Sequence, residues 1–228
     1  MSDRSGQARS LVVLSPLRSG VTAAGESFAY SARRLLQGLP QGTGSPFASV
    51  PDTYMARWYL LDDVRYQGGA REDHLNNRYL ALLVQHYGPT DRWLDNLWQY
   101  AQSTLQALYT HAWGFDQVRS AEGWRHYIER CRVPTGYFFN GSNDEPLMTQ
   151  LKALYLRQQF TAFVMQHQGL PDTQLQAAFV AWAAEHQPDN LTAPTWQPGA
   201  DTLHEATAVQ ADHAPTAQPA GGRTDDGD

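Results

Sequence analysis

The stretch Tyr54-Met55-Ala56-Arg57-Trp58-Tyr59-Leu60-Leu61 decides how the chain folds. It is dense in aromatic residues and holds neither glycine nor proline, so it predicts a strand. A polar stretch with Gly68-Gly69 follows, and residues 78–87 then predict another strand, ended by Gly88-Pro89. Alternation assigns Tyr54, Ala56, Trp58 and Leu60 to one face, and Met55, Arg57, Tyr59 and Leu61 to the other. On the next strand Leu80, Leu82 and Val84 oppose Tyr79, Ala81, Leu83 and Gln85. Neither face reads as freely solvated.

Upstream, Leu11-Val12-Val13-Leu14, ended by Ser15-Pro16, predicts a first strand, and residues 26–39 have helical spacing. Downstream, residues 90–109 predict a long helix with Thr90 as N-cap and an apolar stripe through Leu94, Leu97, Trp98, Ala101 and Leu105. A short helix over 121–131 leads past Pro134 to a fourth strand at 135–139. The order is β-α-β-β-α-β with a small helical insertion before the last strand. The predicted class is therefore α+β: a ferredoxin-like antiparallel sheet with helices on one face. Two further helices are predicted at 145–168 and 172–185, separated by Gly169-Leu170-Pro171.

The 228 residues suit one domain with a tail. Residues 1–10 read as a flexible N-terminus and 11–187 as the domain. Residues 188–228 carry the whole net charge of −6, together with five prolines and few large apolar residues, and so are expected to be disordered. Removing them after Gln187 is expected to leave the thermal unfolding midpoint almost unchanged. Neutrality of the domain argues against nucleic-acid binding. No apolar run is long enough to cross a bilayer, which argues against membrane insertion, and no signal peptide precedes the domain, so a cytoplasmic protein is expected. The single cysteine, Cys131, excludes a disulfide framework or a Cys-based metal cage.

Several segments resemble uncharacterised bacterial ferredoxin-like proteins. They are Pro51-Asp52-Thr53-Tyr54-Met55-Ala56-Arg57-Trp58 with the following Asp62-Asp63, Tyr127-Ile128-Glu129-Arg130-Cys131, Thr135-Gly136-Tyr137-Phe138-Phe139, and residues 163–170. That group is similar in fold to the dimeric α+β barrel superfamily, which includes dye-decolourising peroxidases and chlorite dismutases. The resemblance implies a homodimer with two sheets face to face, a small-molecule ligand, and haem as the candidate cofactor. The chain has no Gly-x-x-Asp-Gly segment in its domain, and it has Tyr54 where such relatives often carry His.

The candidate ligand-binding residues are Arg57, a mid-strand charge able to anchor a carboxylate, and Tyr137, a cavity wall or core filler. Arg57 has a structural alternative, an ion pair with Asp62 or Asp63 of a neighbouring strand or subunit. His111, after the long helix, is the candidate haem ligand. His126 lies one helical turn from Glu122, but two ligands do not make a metal site, and none is expected. His167 reads as a helix C-terminal capping side chain, and Cys131 as a small buried hydrophobe. No phosphate loop, zinc helix or nucleophile elbow is present. Two functions follow as expectations: a non-catalytic dimeric accessory or interaction module, which is preferred, and a small-molecule-binding, haem-dependent oxidoreductase.

Overall fold

The computed structural model describes residues 3–65, 68–69, 72–141, 145–192 and 194–196. These residues form an α+β fold, a five-stranded antiparallel sheet with five helices. In chain order the elements are β1 (Arg4–Ser5), β2 (Ala8–Pro16), α1 (Phe28–Gln37), β3 (Thr53–Leu61), β4 (Tyr79–Tyr87), α2 (Thr90–Tyr109), α3 (Ala121–Cys131), β5 (Arg132–Val133), α4 (Leu147–Gln166) and α5 (Asp172–Glu185). The sheet order is β1-β2-β4-β3, and β5 pairs with β2 on the same side as β1. This leaves β3 as an edge.

Capping explains two of the helix starts. Ser27 accepts from the Tyr30 N–H at 3.2 Å, and Ser120 accepts from the Gly123 N–H at 3.1 Å. Each satisfies a first-turn donor that would otherwise lack a partner. At α2 the cap position falls on Pro89, one residue before the expected Thr90, whose hydroxyl instead lies 3.3 Å from the His86 Nε2.

One face of the sheet carries Leu11, Val13, Leu80, Leu82 and Val84, all buried beneath α1, α2 and α3. Around Trp124 the helices build an aromatic cluster with Trp98, Tyr109, Phe115 and Tyr127. The Tyr109 hydroxyl accepts from the Trp58 Nε1 at 3.2 Å, tying α2 to β3. Burial pushes that hydroxyl far above its ordinary pKa, so it stays a neutral phenol.

The fourth strand is where the fold departs from expectation. It is the two-residue β5, not 135–139. The register explains why. Val133 and Arg132 face Val12 and Val13, so a longer strand would run on to face Ser10 and Arg9. There β1 already pairs Arg4 with Arg9, and the Ser10 N–H donates to Asp3 O at 2.8 Å. Pro134, with no N–H to give, follows at the exit. Tyr137 is consequently in a loop and 83% exposed, while Phe138 packs on Ala8, Tyr87 and Leu147.

The start of the expected tail makes contacts. The buried Lys152 Nζ donates to Pro194 O at 3.2 Å and lies 5.5 Å over the Tyr155 ring, and the Trp196 N–H donates to Leu151 O at 3.3 Å. Residues 197–228 lie outside the described residues. Truncation after Gln187 therefore removes a buried ammonium's acceptor, which costs on the order of 1–3 kcal/mol. The expected result is a midpoint lowered by several degrees, at about 2–4 °C per kcal/mol for a chain of this size. Thermal melts of truncations after Gln187 and after Trp196 check it: only the first should fall, and no difference between them would refute the contact.

Candidate functional site

The sheet has a second face. Strand alternation sends Val12, Leu14, Arg57, Tyr59, Ala81 and Leu83 to the side away from α1, α2 and α3. Across the strands, Arg57 pairs with Leu83 and Leu83 with Val12; Tyr59 pairs with Ala81 and Ala81 with Leu14. Within these rows Ala81 is fully buried, Val12, Leu14 and Leu83 are half-buried, and Arg57 adds the one exposed charge. Met55 remains 51% exposed and Tyr59 39% exposed. The C-terminal helices cover only one end of it, where Leu147 and Leu151 of α4 meet Ala8 and Tyr87. α5 packs back on α4 through Phe160, Phe163, Phe179 and Trp182 and does not bury the rest.

Arg57 is exposed, and it sits on the edge strand. Within the chain it does not pair with Asp62 or Asp63. Asp62 is bonded to Arg33 and lies 3.7 Å from the Arg78 Nε. Asp63 accepts from the Leu75 N–H at 2.8 Å, meets the His74 ring at 2.8 Å and accepts from the Val64 N–H at 2.9 Å. Those bonds hold its carboxyl well below the usual range, at about 2. A charge on an edge strand and a bulge in it are two devices that discourage edge-to-edge pairing. β3 has both, for its register shifts between Thr53 and Met55.

Asp62, Asp63, Arg18 and Arg78 line a polar cleft of about 360 Å³ at the start of α1. Its charges are already paired within the chain, Arg18 with Asp116 at 3.2 Å. His111 lies near this end. Its carbonyl accepts from the Arg18 N–H at 2.9 Å, and its ring centroid is 6.0 Å from that of Phe28. Burial, then the Arg18 charge, lowers its pKa.

Arg57, His111 and Tyr137 are not brought together. His111 follows α2 on the helix-covered side of the sheet, Arg57 faces the open side, and Tyr137 is in the loop after β5. A haem held by His111 would have no access to Arg57 through a packed sheet, so these three residues do not fit one haem pocket. His126 and Glu122 are exposed, and among the described residues no group of three or more metal-ligating side chains converges. His167 does cap α4, its Nδ1 lying 2.8 Å from Phe163 O. Cys131 is half-buried against the core and unpaired in any disulfide.

His86 went unnoticed in the sequence, although extending the buried series Leu80, Leu82, Val84 by two residues reaches it. It is fully buried and stacked on Trp93 at 5.4 Å, with Nδ1 3.3 Å from Tyr87 O and Nε2 3.3 Å from Thr90 Oγ1. Nδ1 must donate to the carbonyl, leaving Nε2 to accept from the hydroxyl, so the neutral ring is satisfied. Burial lowers its pKa from 6.5. The unfolded chain therefore takes up a proton that the folded chain refuses, and stability present above pH 6.5 is lost as pH falls below it. Asp63 titrates too low to act in that window. The thermal midpoint should drop between pH 7 and 5, with a shallower slope in His86→Gln. An unchanged slope would assign the effect to His111 instead.

No helix among the described residues is long and apolar enough to cross a membrane. Comparisons with known protein families, curated proteins and solved structures returned no match for this chain.

Proposed function

We propose that the chain is a non-catalytic interaction module that works as a homodimer, two sheets packed face to face about a two-fold axis. The antiparallel strand order β5-β2-β4-β3 supports reading the sheet as ferredoxin-like, the fold expected of such a dimer. The observation that carries the reading is the open sheet face, where Met55 and Tyr59 stay exposed and α4 covers only the Ala8 and Tyr87 end. Exposed apolar side chains such as Met55 and Tyr59 grouped on one sheet face suit an association site, and a two-fold axis covers that face with itself. Arg57 does not obstruct such packing, because from the edge strand its stem can lie on apolar surface while the guanidinium reaches solvent at the rim.

Sedimentation equilibrium tests the proposal. The expected mass is twice 25.5 kDa at low micromolar concentration. A mass that stays at 25.5 kDa as concentration rises would remove the dimer.

A further inference from the structure

A cleft of about 670 Å³ runs between the start of β3 and one side of α4. Leu147, Gln150, Leu151, Leu154 and Arg157 form its helical wall. Their spacing of three and four stacks them on one face over about 15 Å of helix. Tyr54 stands opposite, and Trp196, held by its bond to Leu151 O, borders the cleft.

Tyr54 owes its orientation to the bulge in β3, where the ladder skips from Thr53 to Met55. Asp52 just before it takes a left-handed backbone at φ 63°. Bulges recur beside functional sites because they re-aim a side chain out of the regular alternation. Here the re-aimed ring borders the cleft and remains 47% exposed, as Leu154 remains 44% exposed.

Most polar groups around the cleft are committed elsewhere. The Gln150 amide donates to the Tyr87 hydroxyl at 2.7 Å and to Glu145 O at 2.8 Å. The Thr53 hydroxyl donates to Val50 O at 2.8 Å and accepts from the Trp93 Nε1 at 2.9 Å. The Arg157 guanidinium and the Tyr54 hydroxyl have no hydrogen bond or ion pair among the described residues, and no acidic residue lines the cleft.

We propose that this cleft binds an amphiphilic monocarboxylate, its apolar body along Leu151, Leu154 and Trp196 and its carboxylate on Arg157. One planar guanidinium fork without a carboxylate of its own matches one carboxylate in charge and shape. The apolar wall supplies burial for a chain or ring but no partner for a second charge. The proposal stands apart from the sheet-face dimer, since the cleft lies at the end of that face which α4 already covers.

Titration calorimetry of the full chain with decanoate, below its micelle concentration, tests the assignment. The expected result is saturable binding of one decanoate per chain, weakened at least tenfold in Arg157→Gln and in Leu154→Gln. Decan-1-ol should bind wild type no better than decanoate binds Arg157→Gln. Both substituted residues are exposed, and circular dichroism melts confirm that the variants fold. Equal affinity in wild type and Arg157→Gln, equal affinity for the alcohol, or no saturable binding would overturn the proposal. So would binding that vanishes as protein concentration rises, which would give the cleft to a second copy.

Discussion

Trp124→Ala is expected to lower the free energy of unfolding by about 4 kcal/mol, in the range for truncating a buried indole. Trp124 is fully buried, edge-on to Tyr109 at 5.0 Å and to Phe115 at 6.2 Å, and stacked with Tyr127 at 6.2 Å. An aromatic side chain of this kind buries roughly 150–250 Å², and each ring pair adds to that. The surrounding rings belong to α2, α3 and the turn at Phe115, so they cannot collapse into the vacancy without moving whole helices. A loss of this size lowers the thermal midpoint by roughly 8–16 °C. The indole Nε1 has no hydrogen-bond partner among the described residues. Trp124→Phe therefore leaves no orphaned donor and should cost less than half as much. Urea unfolding with an unchanged slope measures both variants. A loss under about 1 kcal/mol for alanine would show that the cluster is not the domain's centre.

The parts of the fold that were legible in the sequence are those written in local periodicity. β3 follows from its aromatic content, β4 from an apolar run ended by Gly88-Pro89, α2 from its apolar stripe, and the start of α5 from the Gly169-Leu170-Pro171 break before it. The short β5 was not legible. Tyr137-Phe138-Phe139 has the better strand composition, but the edge it needed is held by Arg4–Ser5, more than a hundred residues earlier, and no local pattern reports such a competition. The same holds for the site. That Met55, Arg57 and Tyr59 share a face was readable; that α4 would cover only the Ala8 and Tyr87 end of it depends on where a helix docks. Residues chosen for chemistry one at a time, such as His111 and Arg57, turned out to lie on opposite sides of the sheet. The Arg157 cleft was missed because its signal is a bulge and a docked Trp196, both products of tertiary contact.

Tyr59→Asp should turn the proposed dimer into monomers, raising the dissociation constant at least a hundredfold. Tyr59 lies between Arg57 and Leu61 along β3 and opposite Ala81, within the open face. In a two-fold interface the substitution appears twice, so two carboxylates would have to leave water for an apolar surface. A hundredfold change corresponds to about 2.8 kcal/mol, which is modest for two such burials. Tyr100→Asp is the control, an exposed tyrosine on α2, whose helix lies on the other side of the sheet; it should leave the mass unchanged. A third variant separates the sheet from the helices. α5 exposes Val180 and Phe179, and α4 exposes Val164 and Met165, so a dimer built from the helical hairpin would instead be broken by Val180→Asp. The face-to-face arrangement requires that Tyr59→Asp dissociates the protein while Val180→Asp does not. The reverse pattern by sedimentation equilibrium would sink the sheet-face dimer and move the interface to α4 and α5, leaving Met55, Tyr59 and Leu83 as a surface for a different protein.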